Sequence, residues 1–144
     1  MARFSVAAVQ VGAKTAARGP TLVVGTRDLH LVEVGVESTT AVASRVALRI
    51  ASAVGAAGTA LDEVPWRGDR VAPAASVSQV PSADHTLVAG SIREAWLPDA
   101  IGGGEIWTFG PDELSLVGGS GDAFTLTLPG GTDAIISFYF DWKE

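Results

Sequence analysis

The chain has 144 residues, no cysteine and a net charge of −6. A chain of this length can bury a core as one domain without a disulfide or a metal to stabilise it. The lack of cysteine excludes a disulfide, a cysteine zinc site and a thiol nucleophile. The acidic charge argues against nucleic acid or an anionic membrane as a partner. The most apolar long window, 41–61, is rich in Ala and Gly and carries Arg45 and Arg49 near its middle, so we predict no membrane span.

The predicted elements are strands. The first apolar run of the chain is interrupted by polar residues too early for a secretory signal. After this run, apolar and polar side chains alternate along the chain with a period of two residues, as in antiparallel sheets that have one solvent-exposed face. The predicted strands, in chain order, cover roughly 4–11, 21–25, 29–36, 42–50, 86–97, 105–109, 112–117, 123–129 and 134–142.

The alternation also predicts which side chains face the core. The predicted inward residues of three strands are Val32, Val34, Val36, Val42, Ser44, Val46, Leu48, Ile50, Phe124, Leu126 and Leu128. Arg45, Arg49, Thr125 and Thr127 are predicted to point outward. A helix over 38–54 is the one alternative, and the unbroken alternation with β-branched residues favours a strand there.

The last predicted strand holds four of the chain's ten aromatic residues within 138–142. We predict that it lies inside a sheet with a neighbour on each side, so that one face seals the core. The residues of that face are Ile136, Phe138, Phe140 and Trp142. Tyr139, on the opposite face, is expected to meet solvent or another subunit. Lys143 and Glu144 are interpreted as charges that discourage edge-to-edge growth.

Seventeen Gly and seven Pro separate these runs, mostly in short turn signals such as 101–105 and 117–122. Short strands with Gly/Pro punctuation are typical of a sandwich or a barrel. We therefore predict an all-β fold: an antiparallel β-sandwich, jelly-roll-like, with residues 1–144 as a single domain. The weakly patterned stretch around 51–84 is predicted to be a long surface loop or arm.

No motif in the chain specifies a cofactor or a metal. The fragment 12–15 (GAKT) lacks the Gly-Lys pair and the upstream Gly of a phosphate-binding loop. His30 and His85 have no partner at ligand spacing. The acidic pairs Asp62–Glu63 and Asp112–Glu113 do not follow the alternating oxygen-ligand pattern of a calcium loop. We expect no catalytic, cofactor or metal residues.

Six residues are candidates for an interface or a ligand contact: Arg45, Arg49, Trp66, Arg67, Trp96 and Tyr139. The two strand arginines indicate a charged outer face in a monomer, and ion pairs in an obligate oligomer. A loop Trp must cover something, which for Trp66 could be its own core, a neighbouring subunit or a sugar ring. Trp96 and Trp107 lie at strand positions, where core burial is the favoured interpretation.

The order of several segments resembles that of small β-sandwich virion structural proteins of tailed bacteriophages. The segments are LVEVGVESTTAVASRVALRI (31–50), AAGTALDEVPW (56–66), APAAS (72–76), GGGEIWTFGPDELSL (102–116) and FYFDW (138–142). The resemblance implies a virion component, such as a capsid decoration (cement) or minor head protein, or alternatively a tail-associated one. It implies no catalytic residues.

On this first hypothesis the protein resides in the virion and binds the major capsid protein or another virion protein. We expect a homo-oligomer, with a trimer favoured. The small residues Ala43, Ser44, Ala47 and Thr125 would suit close packing between subunits.

Two other functions stay open. A lectin-like, carbohydrate-binding module would use Trp66 and Trp96, with Asp69 and Asp99 as hydroxyl acceptors, and the fold does not choose between the two. An enzyme would need the fold to bring together carboxylates such as Glu33, Glu94 or Asp141.

Overall fold

The computed structural model describes residues 1–10, 17–56, 58–66, 72–80, 83–129 and 135–144. These ranges form strands, and they contain no helix that could cross a membrane. The strands are β1 (Arg3–Val9), β2 (Thr21–Val23), β3 (Leu29–Ser38), β4 (Ser44–Ala53), β5 (Ala60–Leu61), β6 (Val64–Pro65), β7 (Ser76–Ser78), β8 (Thr86–Leu87), β9 (Arg93–Leu97), β10 (Gly104–Thr108), β11 (Ser115–Leu116), β12 (Ala123–Thr127) and β13 (Ile136–Lys143).

The strands form two sheets that pack face to face. The first sheet has the order β10-β3-β13-β1-β6, with β11 also beside β3. The second has the order β5-β7-β2-β12-β4-β8, with β9 also beside β4. Neighbouring strands in both sheets are antiparallel. The predicted strand over 42–50 is confirmed by β4, and the helical alternative is wrong.

The connectivity is that of a jelly roll. β1 pairs with β13, β2 with β12, β3 with β10, and β4 with β9. The chain is therefore one long hairpin that doubles back at the 98–103 connection and is rolled so that alternate pairs enter alternate sheets. The predicted fold class, an antiparallel β-sandwich of the jelly-roll kind, is confirmed.

The aromatic last strand lies inside the first sheet, as predicted. β13 has β3 on one side and β1 on the other. Phe138, Phe140 and Trp142 are fully or almost fully buried, and Trp142 stacks on Phe4 with 5.8 Å between ring centroids. Each such side chain contributes about 1.5–3 kcal/mol of burial, which is enough to hold the end of the chain in the fold.

A bulge changes the buried face of β3 partway along the strand. Asp141 faces Glu33 and the next residue, Trp142, faces Leu31, so Val32 is an extra residue in the ladder. Leu31 is buried before the bulge and Val34 after it, whereas Val32 is only half-buried. The prediction that Val32 shares a buried face with Val34 is wrong, because one inserted residue reverses the alternation.

The outer face of the second sheet is partly covered by the chain itself. Thr125 and Thr127 are 0% exposed, although they were predicted to point into solvent. His85 lies over this region, with Nε2 2.9 Å from Oγ1 of Thr21, the partner of Thr125 on β2. Both threonines alternate with core residues, and at Thr125 the shielding residue is His85, which lies 40 positions away in the sequence.

Most of the small residues expected at a subunit contact are buried within the chain. Ser44, Ala47 and Thr125 are buried within the chain, and among the four only Ala43 is exposed. These three residues are therefore not a subunit-packing surface, because their accessible area is already used within this fold.

The described parts of the segment 51–84 contribute strands to both sheets. β4 continues into it as far as Ala53, β6 pairs with β1 in the first sheet, and β7 pairs with β2 in the second. Its short strands extend the edges of the sandwich. β6 brings Trp66 beside β1.

Glu144 is a structural residue and not a solvated charge. Its carboxylate is buried and accepts hydrogen bonds from the backbone N–H groups of Ala74 (2.7 Å) and Ala75 (2.8 Å) and from Nε1 of Trp142 (3.1 Å). The interpretation of Glu144 as an exposed charge against edge-to-edge growth is wrong. β13 is a central strand, so it presents no open edge to protect.

Candidate functional site

Trp66 lies on the outer face of the first sheet. It follows β6, and its backbone N–H donates a 2.9 Å hydrogen bond to the carbonyl oxygen of Arg3 on β1. The Arg3 guanidinium lies 3.9 Å from the centroid of the indole ring, in cation–π geometry. The indole is still 58% exposed. Trp66 therefore covers an arginine of its own sheet, and does not enter the core.

Arg3 is fixed in turn by Asp141 on β13. Nε of Arg3 donates to both carboxylate oxygens, at 3.0 and 3.1 Å, and Nη2 donates to Oδ2. The hydrogen bond to Asp141 is the main cause that raises the pKa of Arg3 above its usual value. A bidentate pair of this kind holds both side chains in one orientation. The Trp66 ring therefore rests on a preorganised support.

A second hydrogen-bonded group lies next to this pair. Tyr139 donates a 2.5 Å hydrogen bond from its hydroxyl to Oε1 of Glu33, and the Thr108 hydroxyl lies 3.3 Å from Oε2 of the same carboxylate. Burial and the bond to Glu33 raise the pKa of Tyr139 to about 12. Glu33 is directly opposite Asp141 across the β3–β13 ladder. Two carboxylates are therefore held side by side near one guanidinium.

Small side chains leave room above this part of the sheet. Gly35 faces Tyr139 across the ladder, and Ala7 faces Tyr139 from the other side. The Tyr139 ring lies over Gly35, where a Cβ would overlap the ring. The ring is thus laid along the sheet and does not project from it.

Two clefts meet at Tyr139. We call the first the Trp66 groove; its volume is 250 Å³, and its lining includes Arg3, Ser5, Ala7, Glu33, Trp66, Tyr139 and Asp141. The second, the β10 cleft, has a volume of 470 Å³ and lies on the other side of Tyr139, where its lining includes Gly35, Glu37, Glu105 and Ile106. Together they cross the outer face of the first sheet.

Trp96 lies on the outer face of the second sheet. It is directly opposite Arg45 across the β4–β9 ladder, and it is 75% exposed. Nε of Arg45 is 3.9 Å from a carboxylate oxygen of Glu94. We call these three residues the Trp96 surface. The core interpretation is wrong for Trp96, because its neighbour Leu97 takes the inward position; it is confirmed for Trp107, which is buried.

The other candidates have separate roles or lie outside the described residues. Arg49 donates to the carbonyl oxygens of Val88 (3.1 Å) and Gly90 (3.2 Å), and so holds the chain between β8 and β9. Arg67 lies outside the described residues, as does Asp69.

Trp66 and Trp96 cannot form one sugar site, because they lie on the outer faces of different sheets. Of the three carboxylates considered for an enzyme, Glu33 and Asp141 come together at Arg3. The third, Glu94, lies on the second sheet.

His85, Glu63 and Glu113 accept hydrogen bonds within the fold, and His30 lies beside Asp112. His85 is buried; its Nδ1 accepts a 2.9 Å bond from the N–H of Gly55, and burial lowers its pKa. Nδ1 of His30 is 3.0 Å from the Asp112 carboxylate. Glu63 and Glu113 accept backbone N–H bonds from Val77 and Gly110. Within the described ranges, no three His, Asp or Glu side chains are grouped as metal ligands.

Sequence reasoning found Trp66 and Tyr139 but missed Arg3, Glu33 as a partner of Tyr139, and Gly35. Glu33 and Gly35 are two residues apart on β3, so the sequence already indicates that they lie on one face of the strand. Nothing in the sequence pairs Arg3 with Trp66, because these residues are 63 positions apart.

No family model matches the chain, and comparison with curated proteins and with solved structures finds no similar protein.

Proposed function

We propose that this protein is a non-enzymatic structural component of a phage virion, which binds the capsid surface as a decoration or minor head protein. The observation that carries the proposal is Trp96, a strand tryptophan that is 75% exposed. Leaving so large a ring in water forfeits burial worth roughly 1.5–3 kcal/mol, which a partner surface would recover. The resemblance to virion proteins supplies the kind of partner.

The surroundings of Trp96 suit a protein partner. Trp and Arg are enriched at protein-binding hot spots, and a polar rim usually surrounds such anchors. Arg45 and Glu94 provide one charge of each sign beside the ring. A major capsid protein that presents charges of both signs here would complement this arrangement, whereas the net charge of −6 disfavours nucleic acid.

The fold is compatible with this function but does not select it. Jelly rolls include viral capsid domains and lectin domains alike. The head location is therefore argued from the resemblance, and tail attachment stays the alternative. A homotrimer is the favoured assembly, and light scattering of the purified protein tests it.

The proposal is tested by cosedimentation with phage shells that lack this protein. Wild-type protein is expected to pellet with the shells in a saturable manner, and Trp96→Ala to lose most of this binding. Trp66→Ala is the matched control, because it removes an exposed indole from the opposite outer face. Equal binding by wild type and Trp96→Ala, or no binding to shells or to tails, would contradict the proposal.

A further inference from the structure

We propose that the Trp66 groove and the adjoining β10 cleft form a binding site for a neutral oligosaccharide, with Trp66 as its stacking platform. The site is on the first sheet and the Trp96 surface is on the second. The inference therefore does not rest on the proposed virion function.

Trp66 has the features of a preorganised platform. The Arg3 guanidinium lies 3.9 Å from the centroid of the indole ring, and a backbone hydrogen bond joins the same two residues. More than half of the Trp66 surface is nevertheless exposed. The guanidinium covers one face of the indole, which leaves ring surface for a second flat partner. The C–H face of a pyranose ring is apolar and suits an aromatic ring in this position. A ring that is already fixed loses little entropy when a ligand binds.

The polar groups beside the ring are oriented hydrogen-bonding partners for hydroxyls. A carboxylate has about four acceptor positions, and the bonds that Glu33 accepts from Tyr139 and Thr108 leave part of this capacity for a ligand. Asp141 is 3% exposed and is used by Nε and Nη2 of Arg3, whereas the Nη1 donors of Arg3 lie outside that pair. A sugar hydroxyl can both donate to Glu33 and accept from the guanidinium. The hydrogen-bonding groups of the site therefore complement the hydroxyl groups of a sugar, each of which is both a donor and an acceptor.

The charges select a neutral ligand. A cationic ligand would compete with Arg3, which already occupies both the cation position at Trp66 and the carboxylate of Asp141. An anionic ligand would meet Glu33 and Asp141 in the groove, and Glu37 and Glu105 in the adjoining cleft. Bringing like charges together at short range is unfavourable in either case. A neutral polyhydroxylated ligand avoids both penalties.

The dimensions favour a chain of sugars over a single ring. The clefts have volumes of 250 and 470 Å³ and meet at Tyr139, and together they reach the size of about 300–1,000 Å³ that is typical of ligand sites. The site crosses five strands from β6 to β10, or about 19 Å at about 4.8 Å per strand. Between the two ends of the site, Ala7 adds no large side chain, and Gly35 lets the Tyr139 ring lie flat on the sheet.

The test is a microarray of neutral hexose and N-acetylhexosamine oligosaccharides, followed by titration calorimetry with the best-bound glycan. We expect wild type to bind at least one glycan, and Trp66→Ala to weaken that binding by about tenfold or more. Ala7→Trp, which fills the groove and leaves Trp66 in place, is expected to abolish it. Trp96→Ala is the control and is expected to bind like wild type. Circular dichroism checks that each variant is folded.

The possible outcomes separate clearly. No binding to any neutral glycan on the array overturns the inference. So does glycan binding that survives both Trp66→Ala and Ala7→Trp, or that Trp96→Ala removes. Preferential binding of hexalysine or of polygalacturonate over every neutral glycan overturns the neutral class. A negative result in the glycan experiments does not affect the shell-binding proposal, because the cosedimentation experiment measures the contribution of Trp96 on the other sheet.

Discussion

Tyr139 lies across Gly35, the residue opposite it on the neighbouring strand, so that a methyl group on Gly35 would overlap the tyrosine ring. The same placement brings the Tyr139 hydroxyl to 2.5 Å from Glu33. One glycine thus decides whether the ring lies along the sheet or stands away from it. The two clefts of the first sheet meet at this ring, so their shape depends on it.

Gly35→Ala is therefore expected to lower the free energy of unfolding by about 1–3 kcal/mol, because the added Cβ forces the ring out of place. Urea unfolding followed by tryptophan fluorescence measures the change. In a Tyr139→Ala background the overlap is gone, and the same substitution should be neutral or stabilising, since Ala in a strand interior is less costly than Gly. The same cost in both backgrounds would show that the ring is not the cause.

The titration of Tyr139 gives a direct readout of its environment. It is the only tyrosine in the sequence, so phenolate absorbance reports on this one group. We expect a pKa of about 12, and a lower value in Glu33→Gln that is still above the usual value of about 10, because burial is the larger cause and the hydrogen bond the next.

The sign of the associated stability effect follows from the raised pKa. The fold favours the neutral phenol, so this contribution to stability is complete below about pH 10 and is lost as the pH rises toward 12. Circular dichroism in the same pH range separates titration of the folded protein from alkaline unfolding. A wild-type pKa near 10 in the folded protein would contradict the burial and the Glu33 bond together.

His85 is expected to make the protein less stable in mild acid. Nδ1 accepts the Gly55 N–H and Nε2 lies 2.9 Å from the Thr21 hydroxyl, so the neutral ring fits the site and the doubly protonated ring does not. Burial lowers the pKa in the fold, so the unfolded state binds more protons. Stability is therefore complete above the unfolded value of about 6.5 and falls as the pH drops below it.

Urea unfolding between pH 5 and pH 8 measures this dependence. His85→Gln should be less stable overall but should lose most of the slope between pH 5 and 6.5. An unchanged slope in His85→Gln would assign the acid sensitivity to other groups.

Glu144→Ala should lower the free energy of unfolding by about 2–4 kcal/mol. The substitution leaves the N–H groups of Ala74, which is partly buried, and Ala75, which is buried, without their carboxylate partner. Lys143→Ala is the neighbouring control and should change stability by less than about 0.5 kcal/mol. Thermal unfolding compares the two. Equal effects would mean that the buried hydrogen bonds contribute nothing specific.

Thr125 and Thr127 should respond in opposite directions to replacement by valine. The hydroxyl of Thr125 donates to the carbonyl oxygen of Pro20 at 3.3 Å, whereas that of Thr127 is buried with no hydrogen-bonding partner among the described residues. We expect Thr125→Val to lose about 1 kcal/mol and Thr127→Val to gain about as much, since an unpaired buried hydroxyl is costly. Calorimetric melting temperatures of the two variants give the signs, and a loss at Thr127 would refute the difference.

The sequence by itself determined the sheet character, most strand positions and the role of the last strand. These follow from alternation, which is a relationship between consecutive residues and is therefore visible in the chain. The burial of Phe138, Phe140 and Trp142 was predictable for this reason, and so was the shared face of Glu33 and Gly35. Tyr139 was predictable as a residue that faces away from the core.

Only the tertiary structure decided which of these faces reaches solvent and which residues meet there. The bulge at Val32 reverses the alternation within one strand, His85 shields Thr125 from a position 40 residues away, and Leu97 leaves Trp96 outside. Arg3 and Trp66 become neighbours because β6 pairs with β1. The exposure of a side chain depends on segments that are distant in sequence. The alternation of apolar and polar residues along one strand does not indicate how those segments are arranged in space.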